Sequence, residues 1–349
     1  SIHDSSDIKT LQIYPDHNFY MPPLNDIEDN QHVASYEAAV PTANVFTINN
    51  GIFIPGREEI YTSDLKVLKE ISVQKKNPKK GTSKKPLLKY KKLNGRVLCL
   101  SLSGVERNYY HFNVEYLARW HLFELSKLDY DYVDFDEKNK FQKQFIELLD
   151  IPKEKLISPM LRECAIKADA LIVPSLINNW KYFKMPGGKF HYMKQYLPNW
   201  FNKVHQNFRN RSEAPNRIYI SRSKADRRKV TNEKEVINLI KKYGFTVFDM
   251  EDLNVNNQIN LFNNAKIVIA PHGAGLANIV YCSNSFQLLE IFPQNYFDSS
   301  FRILAQVLDC KYHYMIGQCP EKSNVHPQKE DIYVDCKKLQ KWLTKFILH

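Results

Sequence analysis

Long hydrophobic runs are missing from this sequence of 349 residues. No window approaches the ~18 uninterrupted apolar residues of a membrane-spanning helix. The best candidate, 267–282, is broken by His272, Gly273, Gly275 and Asn278. A spanning helix is therefore excluded within these residues. The first residues carry no basic, apolar and small-residue pattern of a secretory leader; a leader or anchor cut away ahead of Ser1 stays open as an expectation. Cysteine is scarce. Cys99, Cys164, Cys282, Cys310, Cys319 and Cys336 are widely spaced and form no Cys-x-x-Cys pair, which argues against a zinc module. Cys99 and Cys282 lie in apolar stretches and read as small core residues, and the set suits a reducing compartment. Two catalytic signatures are also missing. Without Gly-x-Ser-x-Gly, the His272-Gly-Ala-Gly275 segment is not the oxyanion loop of an esterase. There is no Walker P-loop either.

Acid is absent from 75–92, which holds nine lysines. The formal net charge is +11, so this segment leaves only +2 for the rest of the chain. The basic character is one local patch. It reads as a solvated loop, as a contact for anionic lipid headgroups or an acidic polymer, or as a nucleic-acid contact. The last is the weakest of the three, because Tyr90 is the one stacking ring there and no recognition motif follows. No nucleic acid is expected as a partner.

What is present is an ordinary globular balance of 43% hydrophobic and 25% charged residues, over a length that suggests two domains with a cleft between them. Residues 1–95 mix short strand-like pieces (Asn44–Ile48, Ile52–Ile54) with several prolines and read as an irregular region packing on the first lobe. From 96 to 210 strand-like segments (Arg96–Leu102, Tyr130–Phe135, Ala170–Val173) alternate with helical ones (Tyr110–Ser126, Lys138–Leu149). A crossover loop at 178–188 and a long helix at 189–209 follow. Residues 211–349 continue the alternation. Strands are expected at Arg217–Ser221, Thr246–Asp249, Lys266–Ala270, Leu288–Phe292 and Tyr312–Ile316, with helices over 232–243, 255–264, 274–281 and 297–308. Asn232 and Glu235 have the spacing of a capping box. Such alternation means parallel sheets wound by helices, with ligands where strand C-termini meet helix N-termini.

Four segments carry candidate chemistry. In Lys266–Asn278 an apolar strand runs into a turn with two glycines. Gly273 and Gly275 permit positive φ, and the amides of 273–275 at the helix start form an anion site, with His272 at its rim. The bland alternative is a tight turn with His272 packing inside. In Arg217–Glu233, Arg222, Lys224, Arg227 and Arg228 crowd the loop after a strand, as a diphosphate clamp or as an exposed basic loop. Glu290, at the end of an apolar strand, needs a partner, either ribose hydroxyls or a neighbouring arginine. His111 and Glu115 stand four apart, as a base with its orienting partner or as a surface pair. Asp129-Tyr-Asp131 and Asp134-Phe-Asp136 resemble an Asp-x-Asp metal clamp, and read more readily as a solvated strand edge.

Taken in order, several elements resemble glycosyltransferase family 61, the capsular-polysaccharide-type group. They are Asn108-Tyr-Tyr-His-Phe, Arg217-Ile-Tyr-Ile-Ser-Arg222, Arg228-Lys-Val-Thr-Asn-Glu233, His272-Gly-Ala-Gly-Leu-Ala-Asn278 and Leu289-Glu-Ile-Phe-Pro293. The resemblance spans roughly 96–316, and Ala277 stands where the family usually has Thr. It implies a GT-B-like α/β fold of two Rossmann-like lobes with parallel sheets and an interlobe cleft. It implies an inverting transfer from a nucleotide sugar, a UDP-sugar first, to a glycan acceptor in surface or capsular polysaccharide or lipopolysaccharide synthesis. No cofactor is implied, and Mg²⁺ or Mn²⁺ is not expected. Carried over by position, Arg222, Arg227, Arg228, His272, Gly273, Ala274, Gly275 and Asn278 bind the donor, Glu290 lies by the ribose, and Glu115, with His111 close behind, is the catalytic base. The expected location is cytoplasmic, peripheral on the inner membrane face, with a trimmed secretory-pathway form as the alternative. The rival function is a non-catalytic polysaccharide- or nucleic-acid-binding protein that uses the 75–92 patch.

Overall fold

The computed structural model describes residues 6–28, 32–72, 90–101, 108–176, 214–282, 285–319 and 325–347. Most of the lysine-rich 75–92, the crossover loop 178–188 and the helix 189–209 lie outside the described residues. The chain divides into two compact units: Ser1–His17 with Ala39–Lys184, and Asn18–Ala38 with Met185–His349. Both are α/β. Among the described residues no helix is long and apolar enough to cross a membrane.

Residues 1–95, read as irregular on account of their prolines, contain eight strands among the described residues. These are β1 (Ile8–Tyr14), β2 (His17–Met21), β3 (Leu24–Asn25), β4 (His32–Val33), β5 (Tyr36–Val40), β6 (Ala43–Asn49), β7 (Ile52–Ile54) and β8 (Glu59–Tyr61). Among the described residues the prolines fall in the connections or next to strand ends, where no ladder N–H is lost. Residues 18–38 go with the second unit. There Ile27 N donates to Tyr314 O at 3.1 Å, and Lys338 pairs with Glu28 at 2.6 Å.

The sheet of the first unit adds β9 (Tyr90–Cys99), β10 (Tyr132–Asp134) and β11 (Ala165–Pro174). Parallel pairing is confined to these three, with β9 between β10 and β11. The expectation of an all-parallel sheet is corrected on the other side of β11, where β6 and β7 run antiparallel in one continuous register. Asn49 faces Ala170 and Ile52 faces Lys167, so β6 and β7 are one strand interrupted at Asn50-Gly51. Asn50 takes a left-handed φ of 52° there. β1 and β8 pair antiparallel along its outer edge.

The segment 109–126 caps the C-terminal ends of β9 and β11. Asn108 starts it, accepting from Tyr110 N at 3.0 Å. A π-helical turn covers Phe112–Tyr116 and an α-helix Leu117–Ser126. From that helix the buried Arg119 donates to Cys99 O (3.0 Å), Leu100 O (2.7 Å), Ser101 O (3.2 Å) and Pro174 O (2.9 Å from Nη2, 3.2 Å from Nε). One guanidinium thus satisfies the last carbonyls of two parallel strands. Burial pushes Arg119 down to about 10, a range in which it stays charged at neutral pH.

The second unit holds five parallel strands in the order β13-β12-β14-β15-β16: β12 (Arg217–Ile220), β13 (Thr246–Phe248), β14 (Ile267–Pro271), β15 (Gln287–Phe292) and β16 (Lys311–Ile316). β14 is buried throughout, as β15 is beyond Gln287, the mark of strands covered on both faces. Ile267, Ile269, Leu289, Ile291 and Met315 point to one face, where Val236, Ile240, Leu339, Trp342 and Leu343 cover them from the helices Glu233–Lys241 and Cys336–Ile347. The helix Val255–Asn264 packs on the short helix after β14. Asn232 is the expected N-cap and donates to the Glu235 side chain at 3.2 Å, but its side chain makes no bond to the helix backbone. Its amide also pairs with Val334 N and O, at 3.0 and 2.9 Å, while Asn139 and Gln142 form a full capping box at the helix Lys140–Leu148.

Removing the Arg119 guanidinium leaves several buried carbonyls unmatched. Arg119→Met is expected to cost at least about 3 kcal/mol in urea unfolding. A loss below about 1 kcal/mol would contradict the clamp.

Candidate functional site

Strand order sets where the loops of the second unit meet. β12 and β14 are neighbours, but β12 connects outward to β13 while β14 connects the other way, to β15. Their C-terminal ends flank a topological switch point, where ligands of doubly wound sheets bind. The loop after β12 carries the arginines, and the loop after β14 carries His272 and Gly273.

The two loops converge. The Arg222 guanidinium lies against Gly273, so close that a Cβ there would collide with Arg222 Nη1. Arg222 Nη2 donates to Arg227 O at 2.9 Å, and Arg222 Nε is buried with no hydrogen-bond partner among the described residues. Arg228 is buried. It donates from Nε to His272 O (2.9 Å) and from Nη1 to Gln328 O (2.6 Å), with its guanidinium carbon 5.9 Å from the centre of the Tyr296 ring. A left-handed φ of 55° at Arg228 turns the loop inward. Burial, then repulsion from Arg228, pushes Arg222 down to about 10. Burial, then Arg227, lowers Arg228. Two desolvated cations with an orphaned donor fit an anion that neutralises both and satisfies the free N–H. Arg227 is exposed and contributes its carbonyl, and Lys224 is engaged with Asp252 at 2.5 Å.

Other expectations for this turn are corrected. Gly273 is extended, with φ 174° and ψ 168°, and Gly275 is not among the residues of positive φ. Glycine is needed at 273 because a guanidinium occupies the place of its Cβ. The helix expected over 274–281 is present, as the 3-10 helix Ala274–Tyr281. Asn278 is fully buried and donates to Gln258 Oε1 (2.7 Å) and Gly275 O (3.1 Å). It braces the turn from inside and has no surface for a ligand. Gln258 in turn donates to Met250 O and Leu253 O, both at 3.0 Å. Glu290 is 0% exposed, accepts from Tyr312 OH at 2.6 Å and lies 2.6 Å from His272 Nδ1. In this structure the partners that Glu290 needs are His272 and Tyr312, in place of the ribose hydroxyls or arginine expected. Burial raises this carboxyl, and the bond to His272 opposes the rise.

In the first unit His111 Nδ1 lies 2.6 Å from Glu115 Oε1. The His111 side chain is 30% exposed and that of Glu115 9%, so the imidazole is the outer member and the carboxylate its inner support. The π-helical turn that bears Glu115 is a feature common at functional sites. Asp134 and Asp136 are neither a metal clamp nor a solvated edge. Both are buried and both pair with Arg162, at 3.0 and 3.2 Å. Asp131 accepts from Arg96 N at 2.7 Å. Among the described residues no group of three or more His, Cys, Asp or Glu could hold a metal ion.

Sequence reasoning missed Tyr312, Tyr296 and Gln328. Each lies at least eight residues from the group it supports, and only strand register or loop packing joins them. The apolar pattern around Tyr312 did mark it as a strand residue, without saying which strand it faces.

A family model described as Glycosyltransferase 61 matches residues 109–289. That span takes in the His111–Glu115 pair, the arginine loop and the His272 turn. Comparison with curated proteins finds no match.

Since the backbone at Gly273 is open to any residue, Gly273→Ala is expected to fold while displacing Arg222. Inorganic pyrophosphate should raise the melting temperature of the parent chain, as any ligand of the native state does, and fail to raise that of Gly273→Ala in scanning fluorimetry. An equal rise in both would remove Arg222 from the anion site.

Proposed function

The chain belongs to glycosyltransferase family 61, and from that premise we propose that it transfers a sugar, with inversion, from a UDP-sugar to a hydroxyl of a glycan acceptor. The observation that carries this reading is the convergence of Arg222 and Arg228 on the His272–Gly273 turn, at the C-terminal ends of β12 and β14. The proposal includes the GT-B organisation that the family resemblance implies, with the second unit holding the donor and the first the acceptor. It extends to surface or capsular polysaccharide or lipopolysaccharide as the product, and to a peripheral place at the inner membrane face through the 75–92 lysines.

The chemistry needs one base and a stabilised leaving group. The acceptor hydroxyl gives its proton to the His111–Glu115 pair and attacks the anomeric carbon from the face opposite the nucleotide. The bond from that carbon to the β-phosphate oxygen breaks, and its electrons leave with UDP. Glu115 was the first choice of base on sequence grounds. The greater exposure of His111 favours the imidazole as the group that meets the hydroxyl, with Glu115 behind it. General-base help is worth on the order of 10²–10⁴ in rate. Negative charge growing on the diphosphate meets Arg222, Arg228, His272 and the amides of Gly273, Ala274 and Gly275. One preorganised donor of this kind is worth roughly 3–4 kcal/mol, so several together exceed the base. Fixed guanidinium charge at this point takes the role a divalent cation plays in other transferases, and the proposal requires neither Mg²⁺ nor Mn²⁺.

Arg228→Ala is expected to lower kcat at least as far as Glu115→Gln or His111→Gln, each by about 10²-fold or more. Sugar transfer or donor hydrolysis, measured on the nucleotide sugar that stabilises the chain most, checks this. Unimpaired turnover of Arg228→Ala would refute the leaving-group scheme. Turnover lost in EDTA and restored by Mn²⁺ would refute metal independence.

A further inference from the structure

The register of β14, β15 and β16 places one set of side chains on a single face. Ala270 faces Glu290 and Glu290 faces Tyr314. Alternation then puts His272, Glu290, Phe292 and Tyr312 together on that face. The carboxylate of Glu290 is the centre of this set, completely buried and bonded on both oxygens.

Proton positions follow from counting donors. A phenol has a single proton, and burial, then Glu290 beside it, raises Tyr312 well above the ordinary tyrosine range. Tyr312 is therefore a fixed donor to Glu290 Oε2. Burial raises Glu290, and its bonds to His272 and Tyr312 oppose that rise, the contacts of a carboxylate that accepts on both oxygens. An acceptor at Oε1 assigns the shared proton to His272 Nδ1. The ring has no room to turn over. Phe292 stacks on it at 5.1 Å and 23°, while Tyr296 and Phe301 meet it edge-on at 5.4 and 5.5 Å. His272 Nε2 is the one polar ring atom left for another partner, on a residue 7% exposed.

We propose that Tyr312 and Glu290 are positioning residues for His272, holding a proton on Nδ1 so that Nε2 faces outward as an N–H donor to the donor sugar's pyrophosphate. The inference rests on the reading of the His272–Gly273 turn as the diphosphate site. A buried glutamine would fill the same space at less desolvation cost. A buried carboxylate adds charge that keeps a second proton on the imidazole when the anion arrives. The arginines supply charge, and His272 adds one donor whose direction is fixed by Glu290 and the rings around it. The titratable and charged groups around it are Glu290 and Tyr312 from the sheet, Tyr296 and Asp298 from the loop after β15, Arg302 from the helix Ser300–Val307, and Arg228 on the His272 carbonyl.

The test compares UDP affinity of Tyr312→Phe with that of the parent chain from pH 8.5 to pH 6.0, by calorimetry. Titration of UDP itself cancels in the ratio of the two dissociation constants. The phenylalanine keeps the ring but removes the donor to Oε2, so Glu290 takes up a proton as the pH falls and His272 loses its anionic partner. The ratio should be near one at pH 8.5 and rise to about tenfold at pH 6.0, the worth of one charge-assisted hydrogen bond. Glu290→Gln, if it folds, should follow the same course. A ratio that stays constant with pH would mean that Tyr312 only packs, and would overturn the proposal. Should the parent chain bind no UDP at any pH, the donor-site reading fails by itself. The imidazole nitrogen shifts of His272, assigned with His272→Gln, then decide the relay. A protonated Nδ1 that becomes a tautomer mixture in Glu290→Gln supports it, and an unprotonated Nδ1 in the parent chain overturns it.

Discussion

Two arginines held against one glycine turn, with no carboxylate bonded to either among the described residues, are the constraint around which the second unit is organised. Desolvated like charges repel, and they stay together only if the backbone fixes them. Arg228 is fixed by a left-handed φ of its own and by bonds to His272 O and Gln328 O. Arg222 is fixed by the Arg227 carbonyl and by the missing Cβ of Gly273. The turn is braced in its turn from behind, where Asn278 and Gln258 satisfy each other and the backbone carbonyls near them. Among the described residues Arg222 Nε is left a buried donor without an acceptor, beside the point where the strand order reverses.

The first unit solves a related problem with the same residue type. Arg119 gathers the carbonyls that end β9 and β11, and Arg162 holds the two buried aspartates at and just after the end of β10. Buried charge of this kind adds little net stability relative to apolar packing, but breaking it leaves groups that nothing else can satisfy. The π-helical turn bearing Glu115 is thereby anchored at its C-terminal side by a helix that cannot slide along the strands.

Much of the fold was legible along the chain. The helix Val255–Asn264 and the strand Ile52–Ile54 fall where periodicity put them, because their apolar spacing has one interpretation. The other antiparallel strands before residue 62, β1 to β5 and β8, were not legible. Short edge strands with half-exposed side chains have no periodicity that sets them apart from loops, and their prolines count against them. At the site, residue type identified Arg222, Arg228 and His272 as belonging together, since three cationic or donor groups in two strand-to-helix loops have few structural reasons to occur. The same reasoning misassigned Glu290 and Asn278. Both are polar groups near a turn, and nothing local distinguishes one that faces a ligand from one that faces the interior.

The linear order of residues therefore determined which cationic, imidazole and carboxylate groups this protein carries and on which segments they sit, because strand-to-helix alternation and charge are local properties. Tertiary structure alone decided what each group touches. Strand register brought Tyr312 to Glu290 and Glu290 to His272, and a strand order that reverses beside β12 set the arginine loop against Gly273. Register and strand order arise from pairing between distant segments, whose free energy depends on side chains that meet only once the sheet has formed.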